Sequence, residues 1–255
     1  NSQYTAFLNA TAATDTNALY NPNMGSSTNG GITRAGSSGS YTYSVKSGFE
    51  NKPVNFVSFW DAARFSNWLT NGGGSGDTET GMYNLNGITN PTNNTVARQL
   101  DFSLGQNGVA IASENEWYKA AYYDGSGSYF DYPTQSNSIT TADANYDNSV
   151  GTATDVGTYA GDGSHYGTFD QGGNLWEWND DIVFTGNRGL RGGSFVNAVN
   201  FLQSSNRSDP NPTFEANSIG FRVSSLAPIP EPSFYAAILG CLGLTLALMR
   251  RKGRV

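Results

Sequence analysis

GGNLWEWNDD (172–181), RGLRGGSF (188–195) and SIGFRV (218–223) stand in that order near the end of this 255-residue chain. The first block is a glycine turn running into Trp176, Glu177 and Trp178. The second carries the Gly192-Gly193 pair ahead of Ser194, and the third ends on Arg222 and Val223. Both tryptophans read as core, because large aromatics contribute most when buried. Glu177, at the end of that turn, reads as the partner of an arginine.

Working outward, VNFVSFWDAARFSNWL (54–69) contains a helix start. Ser58 and Asp61 are spaced so that the hydroxyl caps a free amide and the carboxylate answers back. Ala62, Phe65 and Leu69 then form one apolar face, which predicts a helix over 58–70. IASENEWYKAAYY (111–123) repeats the device with Ser113 and Glu116, followed by Trp117, Ala120 and Ala121. Tyr4, Phe7 and Leu8 give a short amphipathic helix, and the alternating tyrosines of 40–45 suggest a strand. Residues 21–51 are otherwise rich in Gly, Ser, Asn and Thr, 72–76 is a flexible loop, and no repeat period stands out. After Tyr122, short strands and Gly/Asn/Asp turns are expected as far as Val223. The fold class is α+β, loop-rich with few regular strands.

Composition narrows function by exclusion. The chain has 14 Lys+Arg against 21 Asp+Glu, and Arg250, Arg251, Lys252, Arg254 and Glu231 all lie in the tail. The remaining body holds 10 positive and 20 negative residues, a formal charge near −10. No nucleic-acid partner is expected, since phosphate binding relies on clustered Lys and Arg. A lone cysteine, Cys241, rules out a disulfide framework or a multi-thiolate metal site. A lone histidine, His165, rules out a two-histidine metal site and reads as a surface residue.

Together the two capped-helix blocks, the opening NSQYTAFLNA and the three C-terminal blocks resemble the formylglycine-generating enzyme, or sulfatase-modifying factor, family. The resemblance covers roughly residues 1–226 and implies a C-type-lectin-like fold. It also implies a preceding piece, a signal peptide with one or two strands, ahead of Asn1. Family members with the oxidase activity bind copper through two cysteines, a soft-ligand pair suited to Cu(I). The matching positions here are Asn197 and Leu202, so neither copper nor catalysis is expected. A related branch holds non-haem iron through histidines, which one histidine cannot do, so no iron is expected either.

The resemblance further implies calcium at Asp170, at the carbonyls of Gly173 and Leu175, and at Glu177. Calcium takes six to eight hard oxygens, which suits this mixture of carboxylate and carbonyl. Asn145 and Tyr146 match part of a second calcium site, although the following loop is shorter here. In lectin-like relatives the segment corresponding to 195–219 faces the ligand pocket. Ser194, just before it, and its Asn197, Asn200 and Asn206 are the candidate contacts to a glycan or protein. Ser194 and Trp176 also have plain structural explanations, and Arg191, Arg207 and Arg222 read as structural clamps.

The tail, 227–255, has three parts. Pro230-Glu231-Pro232 precedes a mainly apolar run within 233–249, and a basic cluster follows. This order resembles the PEP-CTERM sorting signal of exopolysaccharide-making Gram-negative bacteria. A run of this length is at the short end for a membrane-spanning helix. The basic cluster would stay cytoplasmic, with the acidic body outside. The implied course is export, transient anchoring in the inner membrane by an apolar helix, cleavage by an exosortase-type protease, and release to the cell surface or matrix. The expectation is an exported, non-catalytic binding module. An enzyme of non-standard chemistry and a structural matrix protein are the alternatives.

Overall fold

The computed structural model describes residues 1–88, 95–184 and 186–226. Its helices begin where the sequence places their caps. Helix α1 is Ser2–Thr11 and α2 is the single turn Asn23–Ser26. They are followed by the hairpin β1 (Ile32–Ala35) and β2 (Thr42–Val45), then α3 (Phe59–Thr70). In α3 the Ser58 hydroxyl accepts from the Asp61 amide at 3.1 Å, and Asp61 Oδ2 accepts from the Ser58 amide at 2.8 Å. Next come β3 (Val109–Ile111) and α4 (Glu114–Tyr122), where Ser113 and Glu116 close the same reciprocal pair. Each box satisfies two of the amides that a helix start leaves without intrahelical acceptors.

The C-terminal third supplies β4 (Trp176–Ile182), β5 (Arg188–Arg191), β6 (Ile219–Phe221) and β7 (Val223–Ser225). Strand β4 is central, antiparallel to β5 and parallel to β6, while β7 pairs antiparallel with β3. A parallel pair needs a crossover, which is usually a helix. Here β5 and the irregular 192–218 segment make the crossover, and the candidate ligand segment is therefore fastened at both ends to one sheet.

Helix α3 separates two apolar clusters and is buried on nearly every side. Phe59, Trp60 and Ala63 face a cluster with Tyr83, Ile111, Trp178 and Ile219. Phe65 and Trp68 face another with Tyr4, Phe7 and Leu8 of α1. Phe65 meets Phe7 edge-on at 5.4 Å, and the Trp178 indole donates to the Val57 carbonyl at 3.0 Å. Such polar tips let large aromatics lie fully buried.

Several expectations need adjusting. Helix α1 runs a full ten residues, with Tyr4, Thr5, Phe7 and Leu8 buried and the Ala12 cap amide closing onto the Leu8 carbonyl. The 40–45 strand shrinks to Thr42–Val45, and its partner β1 lies in the stretch read as loop. Between Tyr123 and Leu175 regular strands are replaced by isolated bridges, such as Tyr123 with Tyr129. Among the described residues no helix is long and apolar enough to cross a membrane. The expected apolar helix at 233–249, with Pro230, Glu231 and Pro232, lies outside those residues.

Candidate functional site

Glu177 opens onto a cleft of about 430 Å³ that also presents Asp170, Leu175, Phe169, Phe221 and Arg222. Its carboxylate receives three donors. The Trp117 indole nitrogen and Arg222 Nε each lie 2.5 Å from Oε2, and Arg222 Nη2 lies 2.7 Å from Oε1. An ionised carboxylate offers about four lone-pair sites, so Oε1 retains one. Sequence reasoning places Arg222 as a clamp and misses Trp117 altogether. Nothing in the spacing of Trp117 distinguishes it from an ordinary core residue.

Asp170 sits at positive φ, 59°, and its Oδ2 accepts from the Gly157 amide at 2.6 Å. Burial raises its pKa, and nearby Glu177 adds to the rise, while the Gly157 amide and Arg222 oppose it. The two carboxylates therefore share one electrostatic neighbourhood. Gly173, also at positive φ (72°), must be glycine, because a Cβ there would overlap the Asn145 carbonyl. That close approach ties the turn to the 145–146 segment, and the Asn174 amide donates to the Asn145 carbonyl at 2.8 Å.

The second set of calcium candidates lies directly behind this turn. Asn145 is buried, its Nδ2 donates to the Thr152 carbonyl at 2.9 Å, and its Oδ1 is an orphaned buried acceptor. Buried acceptors are ordinarily paired, so this oxygen suits a cation. Tyr146 is buried and its hydroxyl donates to the Ile139 carbonyl. No cluster of three or more His, Cys, Asp or Glu side chains fit for a metal occurs among the described residues. A cation here would have to rely on carbonyl and amide oxygens beside Asp170 and Glu177. Asp170 and the spare lone pair of Glu177, a carboxylate already paired with Arg222, fit a hard cation at the first site, and the orphaned Asn145 Oδ1 fits one at the second.

The positions of the oxidase thiolates are occupied by structure. Asn197 Oδ1 accepts from the Ser194 amide at 3.0 Å and from the Ser194 hydroxyl at 2.6 Å, closing a local turn. Ser194 is itself fully buried, as is Leu202, which packs with Tyr132, Ala144 and Tyr146. Trp176 and Trp178 are core, as expected. His165 is exposed and stands edge-on to Tyr123 and Tyr166.

Of the other ligand candidates, Asn200 is exposed and Asn206 half-buried. Arg191 is a clamp: it pairs with Glu114 and donates to the carbonyls of Ser204 and Asn206. Arg207 is not. It is exposed and takes part in no ion pair among the described residues. Thus Ser194 and Asn197 come together, Asp170 and Glu177 share a cleft, and Asn200 and Asn206 stand apart on the surface.

Similarities to known proteins bear on the fold and the family. The Treponema denticola variable protein 1 structure is 21% identical, over 71% of this chain and 74% of that one, with a TM-score of 0.53. The structure of CarF is 22% identical, over 78% of this chain and 76% of its own, with a TM-score of 0.50. At these identities the likeness concerns the fold alone. No match is found among curated protein sequences. The family model described as the sulfatase-modifying factor enzyme 1-like domain matches residues 1–226, virtually all of the body. The chain belongs to the sulfatase-modifying factor enzyme 1-like domain family.

Proposed function

We propose that the protein is an exported, non-catalytic binding module on the sulfatase-modifying factor scaffold. The observation that carries this reading is at the thiolate positions. Asn197 is turned back onto Ser194, and Leu202 is buried in an apolar cluster. Neither offers a soft ligand to copper, so oxygen activation of the oxidase kind has no metal to act through.

The 195–219 segment is the candidate binding surface, with a glycan or protein as ligand. Val196, Val199, Phe201 and Phe214 are exposed, and Asn200 stands among them. Apolar and amide side chains on a fixed backbone suit stacking and hydrogen bonding to sugars or peptides. Calcium held by Asp170, Gly173, Leu175 and Glu177, and a second calcium at Asn145 and Tyr146, would brace the turn beneath it.

The sorting reading of Pro230-Glu231-Pro232, the apolar run and the basic cluster belongs to the same proposal. An exosortase-type protease would release the body to the cell surface or matrix. Probing a glycan array with the full chain tests the binding reading. Strong, competable binding that weakens when Asn200 and Phe201 are replaced by alanine is expected, and uniform absence of binding rejects it. Expression in a host strain lacking the sorting protease should leave a longer, membrane-bound form. An intact tail on the mature wild-type protein would reject the sorting reading.

A further inference from the structure

A second pocket, of about 260 Å³, lies on a different part of the surface, between α3 and the end of the 195–219 segment. Asp61 and Glu215 contribute carboxylates to it, Trp60 an indole, and Thr16, Asn17 and Thr213 further polar groups. Neither carboxylate has an ion-pair partner among the described residues. Arg64 is the nearest cation acting on Asp61, but Glu79 holds it at 2.6 Å through Nε. Trp60 is only 1% exposed, and its indole N–H has no hydrogen-bond partner. Buried donors are ordinarily paired, so this one stands out.

These features specify the ligand by complement. Two carboxylates favour a cation, and the hydroxyl and amide oxygens around them favour one that donates hydrogen bonds. The indole N–H calls for an acceptor. A bare metal ion fits poorly, since calcium would want about six to eight oxygens and the pocket is far larger than one ion. Its volume is just under the roughly 300–1,000 Å³ of sites for drug-sized ligands, so the occupant is small. We infer that the pocket between Asp61 and Glu215 binds a small hydroxylated primary amine of the amino-sugar class.

The titration behaviour agrees. Burial, and then the Glu215 charge, push Asp61 up to about 8, and burial raises Glu215 in turn. An ammonium between them would favour both charged forms. The inference goes beyond the binding reading above, because the pocket includes neither Ser194 nor Asn197, and takes only Thr213 and Glu215 from the 195–219 segment.

Nitrogen-15 correlated spectra of the full chain, titrated with glucosamine, test it directly. The Trp60 indole N–H peak, assigned through Trp60→Phe, should shift saturably. N-acetylglucosamine keeps the hydroxyls and loses the ammonium, so it should bind about tenfold more weakly or not at all. Glu215→Gln should weaken glucosamine by a similar factor without lowering the melting temperature, since this half-buried side chain is bonded only by Asn21 among the described residues. An unmoved Trp60 peak, equal binding of the acetylated sugar, or undiminished binding by Glu215→Gln would each overturn the assignment. Shifts confined to the exposed surface around Asn200 and Phe201 would also overturn it, while favouring the earlier binding reading.

Discussion

The Trp117 indole nitrogen donates to Glu177 Oε2 at 2.5 Å, joining α4 to β4 across 60 residues of sequence. Arg222, beside β6, takes the same carboxylate from the other side. One side chain therefore fastens together a capped helix, the central strand and the C-terminal block. Glu177→Leu would leave the Arg222 charge without its carboxylate and the indole N–H without an acceptor. Removing one partner of a buried pair costs about 3–5 kcal/mol, and Arg222 is 26% exposed, so the lower end is expected. Denaturant unfolding measures it. A change below about 0.5 kcal/mol, the scatter of ordinary surface substitutions, would show that the network contributes nothing.

No conversion of a sulfatase-type cysteine peptide to formylglycine is expected, with or without added copper. Leu202→Ala should instead report a structural role, lowering stability by about 2–5 kcal/mol as a large-to-small core substitution. Copper-dependent turnover by the wild-type protein would overturn the non-catalytic reading.

Calcium should raise the melting temperature. A ligand at 100 times its dissociation constant stabilises the native state by about 2.7 kcal/mol. Glu177→Ala should abolish that response, and Asp170→Asn should reduce it less, because an amide oxygen can still coordinate. A melting curve unchanged by calcium in metal-stripped protein would leave the 170–177 turn as a purely structural device.

Stability should fall in acid partly through Glu116. Burial resists its ionisation, but Arg98 and the Ser113 amide outweigh this and hold it down at about 2, against an ordinary value of 4.5. A depressed carboxylate stabilises the fold above its unfolded pKa and loses that contribution as pH drops toward its folded one. The loss should therefore fall between about pH 4.5 and 2. Glu116→Gln should be less stable than wild type at pH 7, and the gap should narrow through that window. A constant gap would exclude the linkage.

Asp180 should prove among the most sensitive polar positions. It lies between Arg98 at 2.9 Å and Arg188 at 3.2 Å, and Arg188 is only 1% exposed. Asp180→Ala would remove the carboxylate that Arg98 and Arg188 share, at a cost of about 3–5 kcal/mol. Thermal denaturation resolves a change of that size, and a near-neutral result would place the charge balance of β4 elsewhere.

What could be read in advance follows from how local each feature is. Each capping box sits within four consecutive residues, so both helix starts could be placed almost to the residue. Strand β1 could not be found, because ITRA is four residues long with only Ile32 buried. The parallel neighbour of β4 is just Ile219–Phe221, and no alternation develops over three residues. At the site, Ser194 with Asn197 and Asp170 with Glu177 were legible because each pair belongs to one short block. The pocket between Asp61 and Glu215 draws on residues near 16, 60, 87 and 214, and only folding unites them.

The 195–219 segment is held mainly through its own backbone. Leu190 and Ser208 exchange amide bonds, Phe56 donates to the Ala216 carbonyl and Phe59 to that of Pro212. Arg191 grips two more carbonyls, those of Ser204 and Asn206. Its apolar anchoring rests chiefly on Phe195, Leu202 and Ile219. Side chains such as Asn200, Ser205, Arg207 and Asp209 are therefore interchangeable as far as folding is concerned. Selection can rewrite the chemistry of that surface, residue by residue, while the loop keeps its shape.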